Sequence, residues 1–146
     1  MPERKGTCAL HHPACIQEKA MKLRIKGDTL RLRISPSEMG RLLETGRVEE
    51  TIHFGDADDL QFTYALERYE GPNGLAVRYA ARGVVVLIAG EALQHWGSSS
   101  DVGVYATLPA GCRTLDVAIE KDFACLDRSE AENRDSYPNP REGKAC

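Results

Sequence analysis

Residues 21–35 read MKLRIKGDTLRLRIS. Two short runs alternate apolar and charged residues with a period of two, the pattern of half-buried strands. Gly27 and Asp28 separate them. A glycine first in a two-residue loop accepts positive φ without a Cβ clash and predicts a tight hairpin of type II′. That turn sets Lys22 opposite Arg33, Arg24 opposite Arg31 and Lys26 opposite Thr29, with Leu23 facing Leu32 and Ile25 facing Leu30. Because the pleat separates the two sides, Lys22, Arg24, Lys26, Arg31 and Arg33 share one surface. Like charges directly opposed destabilise a sheet. Carboxylates, water or a bound anion must offset them. The alternatives are a solvated face with acidic neighbours and an anion or phosphate site.

The chain has 146 residues and a net charge of −3, with 42% hydrophobic residues. That length suits one domain with tails and a core large enough to fold unaided. The negative balance argues against general nucleic-acid binding despite the local basic face. No apolar run approaches the roughly 20 residues of a membrane helix. The N-terminus has no apolar stretch of a secretory signal, so a cytoplasmic location is expected. Cys8, Cys15, Cys112, Cys125 and Cys146 make an odd set, which suggests free thiols or metal ligands more than a disulfide framework.

Residues 1–20 lack periodicity and read as a disordered extension ahead of an internal methionine. They carry C-x2-H-H-x2-C at Cys8, His11, His12 and Cys15. Those are zinc-type ligands, but eight consecutive residues would have to wrap one ion alone. After the hairpin, Ser35-Pro36-Ser37-Glu38 is a capping box opening a helix with Met39, Leu42 and Leu43 apolar, and Gly46 ends it. Residues 47–54 and 60–69 predict two strands around the acidic turn GDADD, which lacks a full calcium-loop pattern. Further strands are expected at 75–79, 84–88, 102–108 and 114–123, with a helix at 89–96.

The second half restates the first. A gapless shift of 54 residues lays 21–54 on 75–108: Leu23 meets Val77, Arg24 meets Arg78, Leu32 meets Val86, Met39 meets Leu93, Leu42 meets Trp96 and Val48 meets Val102. The expectation is an α+β fold over residues 21–123, a duplicated β-β-α-β-β unit. About eight mostly antiparallel strands would form a curved sheet or wide barrel, with two helices on one face. The predicted polar face combines Lys22, Arg24, Lys26, Arg31, Arg33 and Arg78 with Glu49, Glu67, Asp116 and Glu120, and with His53, Thr51, Thr63 and Tyr105. A closed eight-stranded barrel can hold a ligand inside.

This pattern, permuted, resembles the CYTH-like triphosphate tunnel architecture. The resemblance implies basic residues binding phosphates and acidic ones holding metal ions. The E-x-E-x-K signature of that family is replaced here by Lys22-Leu23-Arg24-Ile25-Lys26. The two ends of the chain also resemble a family of small bacterial proteins of unknown function. Its members begin M-K-[IL]-R-I-K-G and end E-K-D-F-x-C-L, an acidic linker and [FY]-P-N-P. Here these are residues 21–27, 120–126 and Tyr137-Pro138-Asn139-Pro140. No activity follows from that likeness.

Residues 124–146 read as a polar, extended tail, whose two prolines suggest that it docks on the body. Cys125 and Cys146 supply half of a zinc site, which Asp122, Asp135 or His53 would complete. The sequence holds no phosphate-binding glycine loop, H-E-x-x-H, G-x-S-x-G or Cys-x-x-Cys. The reading best supported is a module that binds a small anionic ligand or an acidic protein through the basic face, more a binder than an enzyme. The alternatives are a phosphate-processing enzyme with Glu49, Glu67, Asp116 or Glu120 as metal ligands, and a metal-binding protein using the cysteine tail.

Overall fold

A computed structural model describes residues 20–72, 74–123 and 135–138. The elements run β1 (Lys22–Ile25), β2 (Thr29–Ile34), α1 (Pro36–Thr45), β3 (Arg47–His53), β4 (Gln61–Tyr69), β5 (Leu75–Ala80), β6 (Gly83–Ala89), α2 (Gly90–Ser98), β7 (Gly103–Ala110) and β8 (Arg113–Lys121). The α+β class, the eight strands and the two helices agree with the sequence. The strands divide into two sheets of four, ordered β1-β2-β8-β7 (sheet A) and β3-β4-β6-β5 (sheet B), and they do not close into a barrel. The opening hairpin has the expected register, Lys22 on Arg33 through Ile25 on Leu30. Gly27 takes φ 56° in its turn.

The division into two sheets follows from how the repeats interlock. Each sheet joins the first hairpin of one repeat to the second hairpin of the other. The seam is parallel, β2 with β8 and β4 with β6, while all four hairpin pairs are antiparallel. Each helix therefore connects one sheet to the other instead of returning to its own. The equivalence extends to single hydrogen bonds. Thr63 N donates to Arg82 O as Asp116 N donates to Asp28 O, both at 2.9 Å. Arg68 N donates to Gly46 O as Lys121 N donates to Val102 O, at 2.8 and 2.9 Å.

These bonds also correct the gapless alignment. Val48 pairs with Leu66, and the matching pair is Val104 with Ile119. Val48 thus corresponds to Val104, and Val102 is 43% exposed. The cause lies at the helix ends. Gly46 closes α1 in the left-handed conformation at φ 87° and β3 follows at once, whereas α2 ends in extended backbone at Ser99 and β7 starts only at Gly103, two residues later than the 54-residue shift would place it.

Leu32, Ile34, Val117 and Ile119 from sheet A join Val48, Leu66, Val86 and Ile88 from sheet B in one core. Met39 and Leu42 of α1 and Leu93 and Trp96 of α2 complete it. The helices touch each other, and both contact β4. Both leave and rejoin the strands at one end, so all four hairpin turns lie at the other. The apolar rim there is only partly covered: Ile25, Ile52, Phe54, Leu60 and Tyr79 are exposed.

Ser35 caps α1: its hydroxyl accepts from Glu38 N at 3.3 Å, and Ser35 N donates to Glu38 Oε1 at 3.0 Å. Glu38 is 1% exposed. Burial raises its pKa above the usual carboxylate value of 4.5, with the Ser35 hydrogen bonds and Arg41 pulling the other way. The folded chain then holds this proton more tightly than the unfolded chain. The contribution of Glu38 is greatest below about pH 4.5 and declines as pH rises through the raised value. Glu38→Gln keeps a capping-box side chain. It should flatten the stability-versus-pH curve over that interval, as read by urea unfolding at a series of pH values.

After β8 the described tail residues 135–138 return to the body. Tyr137 forms a parallel bridge with Phe123 and donates its N–H to Asp122 O at 2.8 Å. Its ring lies 5.7 Å from that of Phe123. Lys121 Nζ sits 5.5 Å from the Tyr137 ring and donates to Ser99 O at 2.8 Å. Asp135 accepts from Ser37 in the first turn of α1. The tail thus joins the end of β8 to the start of α1.

Candidate functional site

The basic residues of the opening hairpin occupy the outer face of sheet A, away from the core. Strand register arranges that face in three rows. The first is Lys22, Arg33, Glu120 and Gly103; the second Arg24, Arg31, Ala118 and Tyr105. The third is Lys26, Thr29, Asp116 and Thr107, where Lys26 N donates to Thr29 O. Five cations therefore share a surface whose carboxylates are mainly Glu120 and Asp116.

Glu120 Oε1 lies 3.7 Å from Arg31 Nε and 3.5 Å from Arg33 Nε, and Glu120 Oε2 accepts from Tyr105 Oη at 3.0 Å. Burial, then the bond to this carboxylate, raises the Tyr105 pKa. Lys22 Nζ lies 3.1 Å from Asp122 Oδ2 at the edge of the sheet. Asp116 Oδ1 accepts from Thr107 at 2.9 Å. Arg24 and Lys26 have no ion pair among the described residues. One carboxylate between two guanidiniums, beside two unneutralised cations, leaves a net positive surface.

Arg78 does not join this group, because β5 belongs to sheet B. Its Nη2 lies 3.3 Å from Glu67 Oε1, which Arg47 also reaches at 2.8 Å; Arg47 further pairs with Glu49 at 2.8 Å. Thr51 and Thr63 share a 2.8 Å hydrogen bond on the same face, and His53 lies at the exposed end of β3. The proposed metal-holding acids thus fall on two separate surfaces: Glu49 and Glu67 on sheet B, Asp116 and Glu120 on sheet A. The convergence that a tunnel requires is not built, because hairpin exchange turns the two polar faces away from each other.

The rows of sheet B expose what alternation could not show. They read Ala76, Leu87, Glu67, Arg47; Arg78, Val85, Ala65, Glu49; and Ala80, Gly83, Thr63, Thr51. Position by position, Arg24 corresponds to Arg78 and Glu120 to Glu67. Lys22, Lys26, Arg31 and Arg33 correspond to Ala76, Ala80, Val85 and Leu87. Arg24/Arg78, Glu120/Glu67 and Ala118/Ala65 recur at matching positions of the two sheets, although on sheet A the glutamate lies beside Arg31 and Arg33; the four further cations are particular to sheet A.

Cys125 and Cys146 lie outside the described residues, as does the set Cys8, His11, His12 and Cys15. Cys112 is exposed in the β7–β8 turn. Among the described residues no three His, Cys, Asp or Glu side chains are grouped to hold a metal ion, and no helix is long and apolar enough to cross a membrane.

No curated protein and no solved structure matches the chain significantly. Residues 21–141 match a family described as a family of unknown function, DUF7009. That span begins at the opening hairpin and runs beyond the docked tyrosine of the tail. Because it takes in both interlocked repeats, the chain belongs to the DUF7009 family of unknown function.

Proposed function

We propose that the outer face of sheet A binds a small polyanion, with Arg24 and Lys26 as its open contacts and Arg31, Arg33 and Lys22 around them. The observation that carries this reading is the comparison between repeats. Four of the five cations stand where the duplicate strand pair folds with alanine, valine or leucine. Opposed cations on a sheet are unfavourable unless something offsets them, so their presence calls for a use other than folding. Guanidinium groups match phosphate and carboxylate oxygens through paired donors, and lysine adds a mobile point charge. The face is open, which suits capture of an anion more than enclosed chemistry.

Isothermal titration with inorganic tripolyphosphate at low ionic strength tests the proposal. Binding is expected and should weaken steeply with added salt, because exposed charges are screened beyond about 10 Å at 0.1 M. Arg24→Glu and Lys26→Glu should each weaken it by about tenfold or more, a cost of ~1.4 kcal/mol or greater. No heat of binding at low salt, or variants that bind as well as the parent, would refute it.

A further inference from the structure

Sheet B carries a concavity of its own. It has a volume of about 560 Å³ and lies on the outer face beside the β5–β6 turn. The sequence explains why it opens there. The row that reads Lys26, Thr29, Asp116 on sheet A reads Ala80, Gly83, Thr63 on sheet B. Two long or branched side chains are thereby removed from β5 and β6. Gly83 cannot refill the space, since a Cβ there would overlap Thr63 O. Val85 takes the place of Arg31 and completes an apolar floor.

The charged groups lining this concavity are all basic: Arg47, Arg78 and Arg82. Two of them are held in place. Arg47 lies between Glu49 and Glu67, and Arg82 donates to Asp58 O at 2.9 Å. Arg78 is the free arm, since its 3.3 Å contact is to the Glu67 oxygen that Arg47 already engages more closely, and its side chain is 59% exposed. An anion could take Arg78 while Glu67 stays paired with Arg47. The volume falls in the usual range for small-molecule sites, roughly 300–1,000 Å³.

We propose that this concavity is a second binding site, for a small organic carboxylate carried on an apolar body. The carboxylate pairs with Arg78, with Arg47 and Arg82 at the rim. The body lies on Ala80, Gly83 and Val85. The inference is independent of the sheet A site, whose face has no apolar floor.

The test is backbone amide NMR of the full chain titrated with phenylbutyrate, with the neutral phenylbutanol as control. Saturable shifts are expected at Arg78, Ala80, Gly83 and Val85. Arg78→Gln should weaken binding by about tenfold. Val85→Glu, which places a like charge on the floor, should weaken it at least as much. Lys26→Glu on the other sheet should leave it unchanged, which separates failure here from failure of the polyanion site. The proposal is overturned if those amides do not respond up to about 10 mM, a concentration that reveals even weak binding. Unaltered affinity in both sheet B variants, or equal binding of the alcohol, would also overturn it.

Discussion

Trp96→Ala lowers the unfolding free energy by about 3–5 kcal/mol, the largest loss expected from any single side chain here. Trp96 is fully buried at the centre of the core, where both helices and both sheets meet. Its removal leaves a cavity that the surrounding strands cannot easily fill. Their positions are fixed from both sides, because each sheet is built from both repeats. The lost hydrogen bond is secondary. Trp96 Nε1 donates to Val102 O at 3.3 Å, and that carbonyl still accepts from Lys121 N at 2.9 Å. The loss is thus one of packing, and Trp96→Leu, the residue type at the equivalent position Leu42, should cost distinctly less. Chemical denaturation of the three proteins measures the difference. A loss below about 1 kcal/mol for the alanine variant would mean that the helices do not close a common core.

Gly103→Ala is the second large effect, about 1–3 kcal/mol of destabilisation from overpacking. Gly103 pairs with Glu120 at the start of β7. A Cβ there would overlap Ile119 O and come 3.0 Å from Glu120 Cγ and 3.1 Å from Tyr105 Oη. The backbone contact cannot relax without moving β7 from β8. The equivalent residue in sheet B is Arg47, so the requirement is local and not a demand of the shared frame. Because Glu120 is the carboxylate between Arg31 and Arg33, the substitution should also alter tripolyphosphate binding. A variant with parental stability would show that β7 and β8 do not approach as closely as described.

The local elements were legible because their signals are local. Alternation and Gly27 define the first hairpin and its register. Ser35, Glu38 and Gly46 delimit α1. The match of Leu32 to Val86 and of Leu42 to Trp96 reveals the duplication. The exchange of hairpins was not legible, because periodicity says which side of a strand is apolar and nothing about its neighbour. A β-β-α-β-β unit is equally compatible with pairing inside the repeat and with pairing across repeats. For the same reason Arg78, grouped with the hairpin cations by alternation alone, falls on the other sheet. The two-residue offset at β7 was hidden by valine at both 102 and 104. Only the pairing with Ile119 decides between them. The concavity on sheet B left one trace in the sequence: small residues at Ala80 and Gly83 where the first repeat has Lys26 and Thr29.

These comparisons separate what the frame needs from what one sheet adds. Lys22, Lys26, Arg31 and Arg33 of sheet A have uncharged counterparts on sheet B, whereas Arg24 and Glu120 recur there as Arg78 and Glu67. The apolar floor of sheet B is likewise absent from sheet A. One repeated scaffold thus carries two different outer surfaces around the core that joins them.

The most direct test exchanges one surface for the other. The quadruple variant Lys22→Ala, Lys26→Ala, Arg31→Val and Arg33→Leu gives sheet A the residues that sheet B carries at Ala76, Ala80, Val85 and Leu87. Arg24 and Glu120 are kept, as Arg78 and Glu67 stand at the matching positions of sheet B. Circular dichroism with urea unfolding, and calorimetric titration with tripolyphosphate, are then run on the same protein. The predicted result is a cooperatively folded chain, within about 1–2 kcal/mol of the parent, that no longer binds tripolyphosphate. A chain that fails to fold would show that the frame needs these cations, and one that folds and still binds would show that the basic face is not the site.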